Sequence, residues 1–377
     1  MRGLVGCALA LAVLSWGVAA APASAQVPRE FWGVIPINNL STQEINKMGA
    51  ANVGTLRQLV LWPEVEPSRD NYNWSYLDFL VAGAAQNGIE ILPFPYGTPS
   101  WVKVKCRKLG KKKCLRVPPL SSDGRAAWTD FLQDFVARYG PQGSFWSDPT
   151  DAYDPPFLPI TKVQVWNEPS SQTYWQPKPK PKQYGTLVKI SHDAIAAVDP
   201  GVEIVLAGIF PSPELGQRFR FTRFLAKLYR VPGIENYFDI AAFHPYAATI
   251  TQLRNQIATI RRSMSRGGVG AKPLWITELG WGSAKPRKSK RGKERPLIKG
   301  IEGQRNLLTS GFQLIDANRN QWNLVGVIWY SFRDPGVTYG NCPFCSTSGL
   351  LLRNGEPKPS WFAFLQFTGG TDLPLTP

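Results

Sequence analysis

Eight short apolar runs, each followed by a stretch with helical periodicity, restrict this chain more than any other feature. The runs are 31–37, 53–61, 89–95, 160–166, 203–209, 238–243, 273–277 and 325–331. They are continuous rather than alternating, as expected of parallel strands buried on both faces. Helical stretches follow at 41–51, 76–87, 125–139, 182–198, 217–229, 251–265, 302–317 and 359–367. Ser41 with Glu44 three residues on predicts a capping box at the first of these. Eight strand–helix units in one chain predict an α/β fold, a single (β/α)8 TIM barrel. A doubly wound sheet is the alternative, but no Gly-rich phosphate loop follows the first strand. No linker or internal repeat divides residues 26–377, so one domain is expected there.

In a barrel of this kind the working residues collect at the carboxyl ends of the strands. Two of those ends carry a glutamate in an aromatic setting: Trp166-Asn167-Glu168-Pro169 and Trp275-Ile276-Thr277-Glu278-Leu279-Gly280-Trp281. The chain has only 27 Asp plus Glu against 43 Lys plus Arg, so two glutamates in apolar strand ends are unlike ordinary surface charges. Hydrolysis of a glycosidic bond needs such a pair. One carboxyl protonates the departing oxygen and the other attacks the anomeric carbon or activates water there. The other strand ends supply Arg57 and Trp62, Tyr96 to Trp101, His244-Pro245-Tyr246, and Trp329-Tyr330.

With these residues in view, the chain resembles a clan A retaining glycoside hydrolase, and within that group family 39 and related bacterial exopolysaccharide hydrolases. Trp62-Pro63-Glu64-Val65-Glu66-Pro67, followed by Asn71-Tyr72-Asn73-Trp74, is similar to the W-x-x-V-E-P-x-x-G-x-Y-x-W run of those enzymes. The usual glycine is missing, with Asp70 and Asn71 near its place. Phe243-His244-Pro245-Tyr246 and the Glu278 string match as well. The resemblance implies Glu168 as general acid and then base, and Glu278 as nucleophile, with net retention. It implies that Asn167 binds the sugar 2-OH and that Arg57 and Tyr246 keep the Glu278 pKa low. It casts Trp329 as the subsite floor and Trp101, Tyr174, Trp175 and Trp281 as sugar-stacking candidates. His244 is read either as a sugar contact or as a satisfied structural histidine.

The remaining features bound where such an enzyme would work and what it would meet. Arg2, the apolar stretch to Ala21 and Ala23-Ser24-Ala25 read as a secretory signal cleaved near Ala25. A secreted protein without a stable membrane anchor is therefore expected. Cys106, Cys114, Cys342 and Cys345 would remain, in two local pairs that fit two disulfide loops in an oxidising compartment. Cys342 is expected to pair with Cys345 or not at all. The cysteine spacing matches zinc sites poorly, and two histidines cannot build a His-rich centre. No metal and no cofactor are expected.

The formal net charge is +16, concentrated in Lys103 to Arg116, Pro177 to Lys182 and Lys285 to Arg295. Those loops follow strands three, four and seven, so the charge is expected around the cleft, where it would draw in an anionic substrate. The partner is read as a polysaccharide or oligosaccharide, with an anionic one left open; no nucleic-acid-binding fold is present. A monomer is expected. The competing readings are a catalytically silent carbohydrate-binding barrel and a basic cell-envelope adhesion barrel.

Overall fold

The computed structural model describes residues 27–104, 114–147, 153–211, 221–286, 296–337 and 342–375. The expected leader at 1–25, Cys106 and most of two basic runs lie outside the described residues. Strands and helices alternate through the rest: β1 Trp32–Ile35, α1 Thr42–Ala50, β2 Thr55–Leu61, α2 Ser75–Gln86, β3 Glu90–Tyr96, α3 Ser122–Tyr139, β4 Lys162–Val165, α4 Pro181–Ala196, β5 Glu203–Leu206, α5 Phe221–Leu228, β6 Ala241–Phe243, α6 Ile250–Arg266, β7 Leu274–Leu279, α7 Ile301–Asn318, β8 Leu324–Tyr330 and α8 Pro359–Thr368. A short helical turn, Trp62–Val65, caps the end of β2.

Local chemistry sets these boundaries. Ser41 and Glu44 form the reciprocal capping box ahead of α1, a device worth about 1 kcal/mol. Ser121 and Thr249 accept from the backbone amides of Gly124 and Gln252 at the starts of α3 and α6. Proline opens α4 and α8, where its missing N–H costs nothing.

All the ladders are parallel. Six strands form one curved sheet in the order β3-β2-β1-β8-β7-β6, so the first and last strands are neighbours. Strands β4 and β5 pair with each other, Lys162 opposite Glu203 through Val165 opposite Leu206. Bridges Val205–Ile240 and Ile209–Phe243 tie that pair to the β6 side, and Cα atoms of β3 and β4 come within 8 Å. The apolar core runs through both faces of the sheet, from Val34, Val163 and Ile276 to Trp128, Phe312 and Trp361. Because every strand runs the same way, the carboxyl ends of β2, β4, β6 and β7 share one rim. Among the described residues no helix is long and apolar enough to cross a membrane.

Cys342 and Cys345 are joined, with their Cα atoms 5.4 Å apart. The 106–114 pair includes a residue outside the described set. Of the basic runs, Lys103, Arg116, Lys178, Lys180, Lys182 and Lys285 are described, and the three lysines at the start of α4 are exposed.

Candidate active site

The strand ends converge on a buried cluster of charged and polar groups. Arg57, the third residue of β2, is fully buried, with its guanidinium 3.8 Å from the Phe94 ring centroid. Its three donor nitrogens diverge: Nε donates to Gln164 Oε1 at 2.6 Å, Nη1 to Glu278 Oε1 at 2.6 Å and Nη2 to Asn167 Oδ1 at 2.9 Å. One cation thus ties β2 to β4 and β7. The Tyr246 hydroxyl donates to the other Glu278 oxygen at 2.7 Å. His244 Nδ1 lies 2.8 Å from Glu168 Oε1 and 3.5 Å from Glu278 Oε2.

The end of β4 is turned sharply to reach this cluster. Trp166 and Glu168 have φ of 72° and 37°, the left-handed region that bulky L-residues avoid. Each such residue costs about 1–3 kcal/mol and persists only where its surroundings hold it. Here Trp166 is fully buried, and its indole N–H donates to Tyr174 O at 2.9 Å. Glu278 needs no such turn. Strand β7 runs to Leu279, two residues beyond the apolar run, so Glu278 sits inside the strand.

The two carboxyls differ in their partners. An oxygen of each, together with a His244 nitrogen, lies within a 4.8 Å circle. Burial pushes the Glu168 pKa well above the ordinary carboxyl range, the Glu278 charge pushes it further, and Arg57 offsets only part. Burial also raises Glu278, while Arg57 and Tyr246 pull it back. This corrects the expectation of a low pKa for Glu278, because its desolvation outweighs its two partners. The order survives in direction: Arg57 and Tyr246 make Glu278 the easier of the two to ionise, and Glu168 the one pushed further up. Burial and Arg57 hold His244 well below the usual imidazole value, so its ring is neutral. The trio is close enough for a cation to bridge, but Arg57 already meets the Glu278 charge and burial favours the neutral form of Glu168. The group is better suited to proton transfer than to metal binding.

A cleft of 430 Å³ opens onto the cluster. Its lining includes Asn167, Glu278, Tyr174 and Tyr330 together with Asn38, Gln58, Glu64 and Tyr76. Asn167 Oδ1 accepts from Arg57, so its Nδ2 donors face away from the guanidinium, where a sugar hydroxyl can accept from them. The cleft is walled by Tyr96, Tyr174 and Tyr330 rather than by tryptophan. The buried Tyr96 hydroxyl has no hydrogen-bond partner among the described residues.

The structure therefore brings Arg57, Asn167, Glu168, His244, Tyr246 and Glu278 together and leaves the predicted tryptophans out. Trp329 is fully buried against Phe312 and Trp281 and donates to Ser348 O at 3.1 Å. Its successor Tyr330 lines the cleft, because neighbouring strand residues point to opposite faces. Trp281 is fully buried and donates to Ala247 O, and Trp175 packs on Trp166 and Tyr184. Trp101 is half-buried, edge-on to Trp62, with the Arg69 guanidinium 4.8 Å from its ring. Trp175, Trp281 and Trp329 are buried in packing, Trp101 stays half-buried outside the cleft lining, and the aromatic lining of the cleft is tyrosine and phenylalanine. Tyr174, a stacking candidate from the sequence, does line the cleft. Gln164 and Thr277 were missed altogether; they stand four residues before, and directly before, a strand-end glutamate.

Burying both carboxyls has a cost that depends on pH. Both titrate higher in the folded chain than at the unfolded value of about 4.3. From that value upward the folded state holds more protons than the unfolded state, so stability falls as pH rises. Below it both states are protonated and the penalty disappears. Glu168→Gln should therefore raise Tm at pH 8 and leave it nearly unchanged at pH 4. Thermal denaturation at the two pH values checks this. A larger Tm gain at pH 4 than at pH 8 would reverse the sign and contradict it.

No family model matches the chain, and no curated protein sequence does. Solved structures do. A family 39 glycoside hydrolase from the gut symbiont Bacteroides cellulosilyticus WH2 superposes with a TM-score of 0.62 at 19% identity, covering 91% of this chain and 65% of that one. A family 39 enzyme from Xanthomonas axonopodis pv. citri gives 0.62 at 18% identity, over 93% and 68%. A family 5 subfamily 18 protein from Bifidobacterium longum subsp. longum, solved with Manb1-4GlcNAc, gives 0.64 at 13% identity, over 90% and 77%. The chain thus spans about two thirds of the length of the family 39 structures it matches. At these identities the likeness shows the fold: this is the α/β architecture of family 39 and family 5 glycoside hydrolases.

Proposed function

We propose that this chain is a retaining glycosidase built on a closed eight-stranded barrel, with Glu168 as general acid and base and Glu278 as nucleophile. One observation carries the reading. Two buried glutamates have oxygens within 4.8 Å of each other, Glu278 lines a cleft, and of the two only Glu278 is paired with an arginine. Retaining enzymes hold their carboxyls about 5–5.5 Å apart, whereas inverting ones leave about 6.5–9.5 Å for a water.

The chemistry follows from the partners. Glu278, ionised by Arg57 and Tyr246, attacks the anomeric carbon while Glu168 protonates the departing oxygen. Glu168, now a carboxylate, takes a proton from the water that releases the sugar. Asn167 offers its amide donors to the 2-OH, a contact that strengthens as the ring flattens. The family 5 structures solved with Manb1-4GlcNAc support an oligosaccharide substrate. The exposed lysines ahead of α4 support an anionic one, since positive charge at a helix start opposes the helix dipole and does not serve the helix. Secretion after cleavage near Ala25 and a monomeric state belong to the same proposal.

A hydrolysis screen over neutral and uronic-acid polysaccharides and oligosaccharides tests this, read by reducing ends and by the anomer first released. The expected result is release of the anomer retained from the substrate. Activity should rise and fall with pH, needing Glu278 ionised and Glu168 protonated, with both limbs above the ordinary carboxyl range. Release of the opposite anomer would make the chain an inverting enzyme. Binding without hydrolysis across the whole panel would make it a carbohydrate-binding barrel.

A further inference from the structure

The polar groups behind Glu168 form a chain of hydrogen bonds whose directions are determined. Arg57 Nε can only donate, so the Gln164 oxygen must face it, at 2.6 Å. The Gln164 amide nitrogen then faces the other way and donates to Leu206 O at 2.9 Å and to Thr277 Oγ1 at 3.2 Å. Thr277 is fully buried, and its hydroxyl meets only two groups among the described residues, Gln164 and His244 Nε2 at 3.0 Å. Having accepted from Gln164, the hydroxyl places its own hydrogen on Nε2; otherwise a buried O–H would have no acceptor. Gly208 leaves the room the ring occupies, since a Cβ there would come within 1.9 Å of Nε2.

We infer that Gln164 and Thr277 are positioning residues that hold neutral His244 with its proton on Nδ1, so that the ring donates to Glu168 Oε1 and the acid's own proton stays on Oε2. Oε2 makes no hydrogen bond within the described protein, and the Glu168 side chain retains 8% exposure. In the other tautomer Nδ1 would be the acceptor. Glu168 would spend its proton on the ring, 2.8 Å away, instead of offering it to a leaving group. In the second step the same Nδ1–H steadies the Glu168 carboxylate. The groups facing the ring are Glu168 from the end of β4, Glu278 from β7, Arg57 from β2 and Tyr246 from its own loop. The consequence for catalysis rests on the proposed role of Glu168; the tautomer does not.

The test uses nitrogen NMR on the full chain. Only His192 and His244 contribute imidazole signals, and the half-buried His192 is assigned through His192→Gln. The expected spectrum has His244 neutral, with Nδ1 protonated and Nε2 bare. Thr277→Ser should preserve it. Thr277→Val, which keeps the volume and removes the donor, should lower the Nδ1–H population. A wild-type ring protonated at Nε2 overturns the inference, and so does a Thr277→Val spectrum identical to wild type. In kinetics, Thr277→Val should lower kcat about tenfold on aryl glycosides with poor leaving groups, the worth of roughly one hydrogen bond. It should spare activated ones and KM, and Thr277→Ser should restore kcat. Equal loss on both substrates would assign Thr277 a merely structural role. If the wild type turns over no glycoside, the glycosidase reading fails while the tautomer still decides this inference.

Discussion

Glu278→Ala is expected to abolish turnover, by roughly 10⁴- to 10⁶-fold, the scale seen when a nucleophile is deleted from a preorganised site. Added azide should restore part of the rate and give a product of inverted configuration. The small anion fits the space of the missing carboxylate and attacks from its side, and no second displacement follows. The substitution also strips Arg57 of its ion pair at 2.6 Å. Removing one partner of a buried pair can cost about 3–5 kcal/mol. Gln164 and Asn167 still accept two of the Arg57 donors, which limits that cost. Circular dichroism should accompany the assay, with Glu278→Gln as the variant that keeps the shape. Rescue by azide with retained configuration, or a fully active Glu278→Ala protein, would remove Glu278 as nucleophile.

Glu168→Ala should respond to the leaving group. General acid help is worth about 10²- to 10⁴-fold, and a poor leaving group needs all of it. Dinitrophenyl glycosides depart without protonation, so their first step should be nearly untouched. Their second step, now without a base, should slow and let the covalent glycosyl-enzyme accumulate as a burst of phenol. The asymmetry follows from the structure, where the Arg57 guanidinium ion-pairs with Glu278 and not with Glu168. Equal losses on good and poor leaving groups would contradict the assignment. The reverse pattern, with poor leaving groups spared, would exchange the two roles.

Much of this could be read along the chain. The eight apolar runs lie where the eight parallel strands form, because a strand buried on both faces must be apolar throughout and cannot hide that in sequence. The Ser41–Glu44 box could be read because it is local, made by residues three apart. The residues Asn167, Glu168, His244, Tyr246 and Glu278 could be picked out because parallel strands bring their carboxyl ends to one rim, and Arg57 because a charge inside the apolar run of β2 is chemically unusual. A chemically unusual residue at a strand end therefore has few other places to be.

The tryptophans could not be read that way. Trp329 and Tyr330 are equally aromatic and adjacent, and which faces the cleft depends on the phase of β8 against its neighbours, Leu279 with Trp329 and Ile35 with Tyr330. Sequence by itself determined the alternation of elements, the two glutamates and the cation that serves them, since each follows from residue type and position along one strand. Tertiary structure alone decided that Trp175, Trp281 and Trp329 are fully buried away from the cleft, and that burial raises Glu278 despite Arg57. It alone linked Gln164 and Thr277, 113 residues apart, into one line of hydrogen bonds behind His244. Desolvation, strand phase and the direction of a hydrogen bond depend on groups brought close by folding, and no single segment of this chain contains both partners.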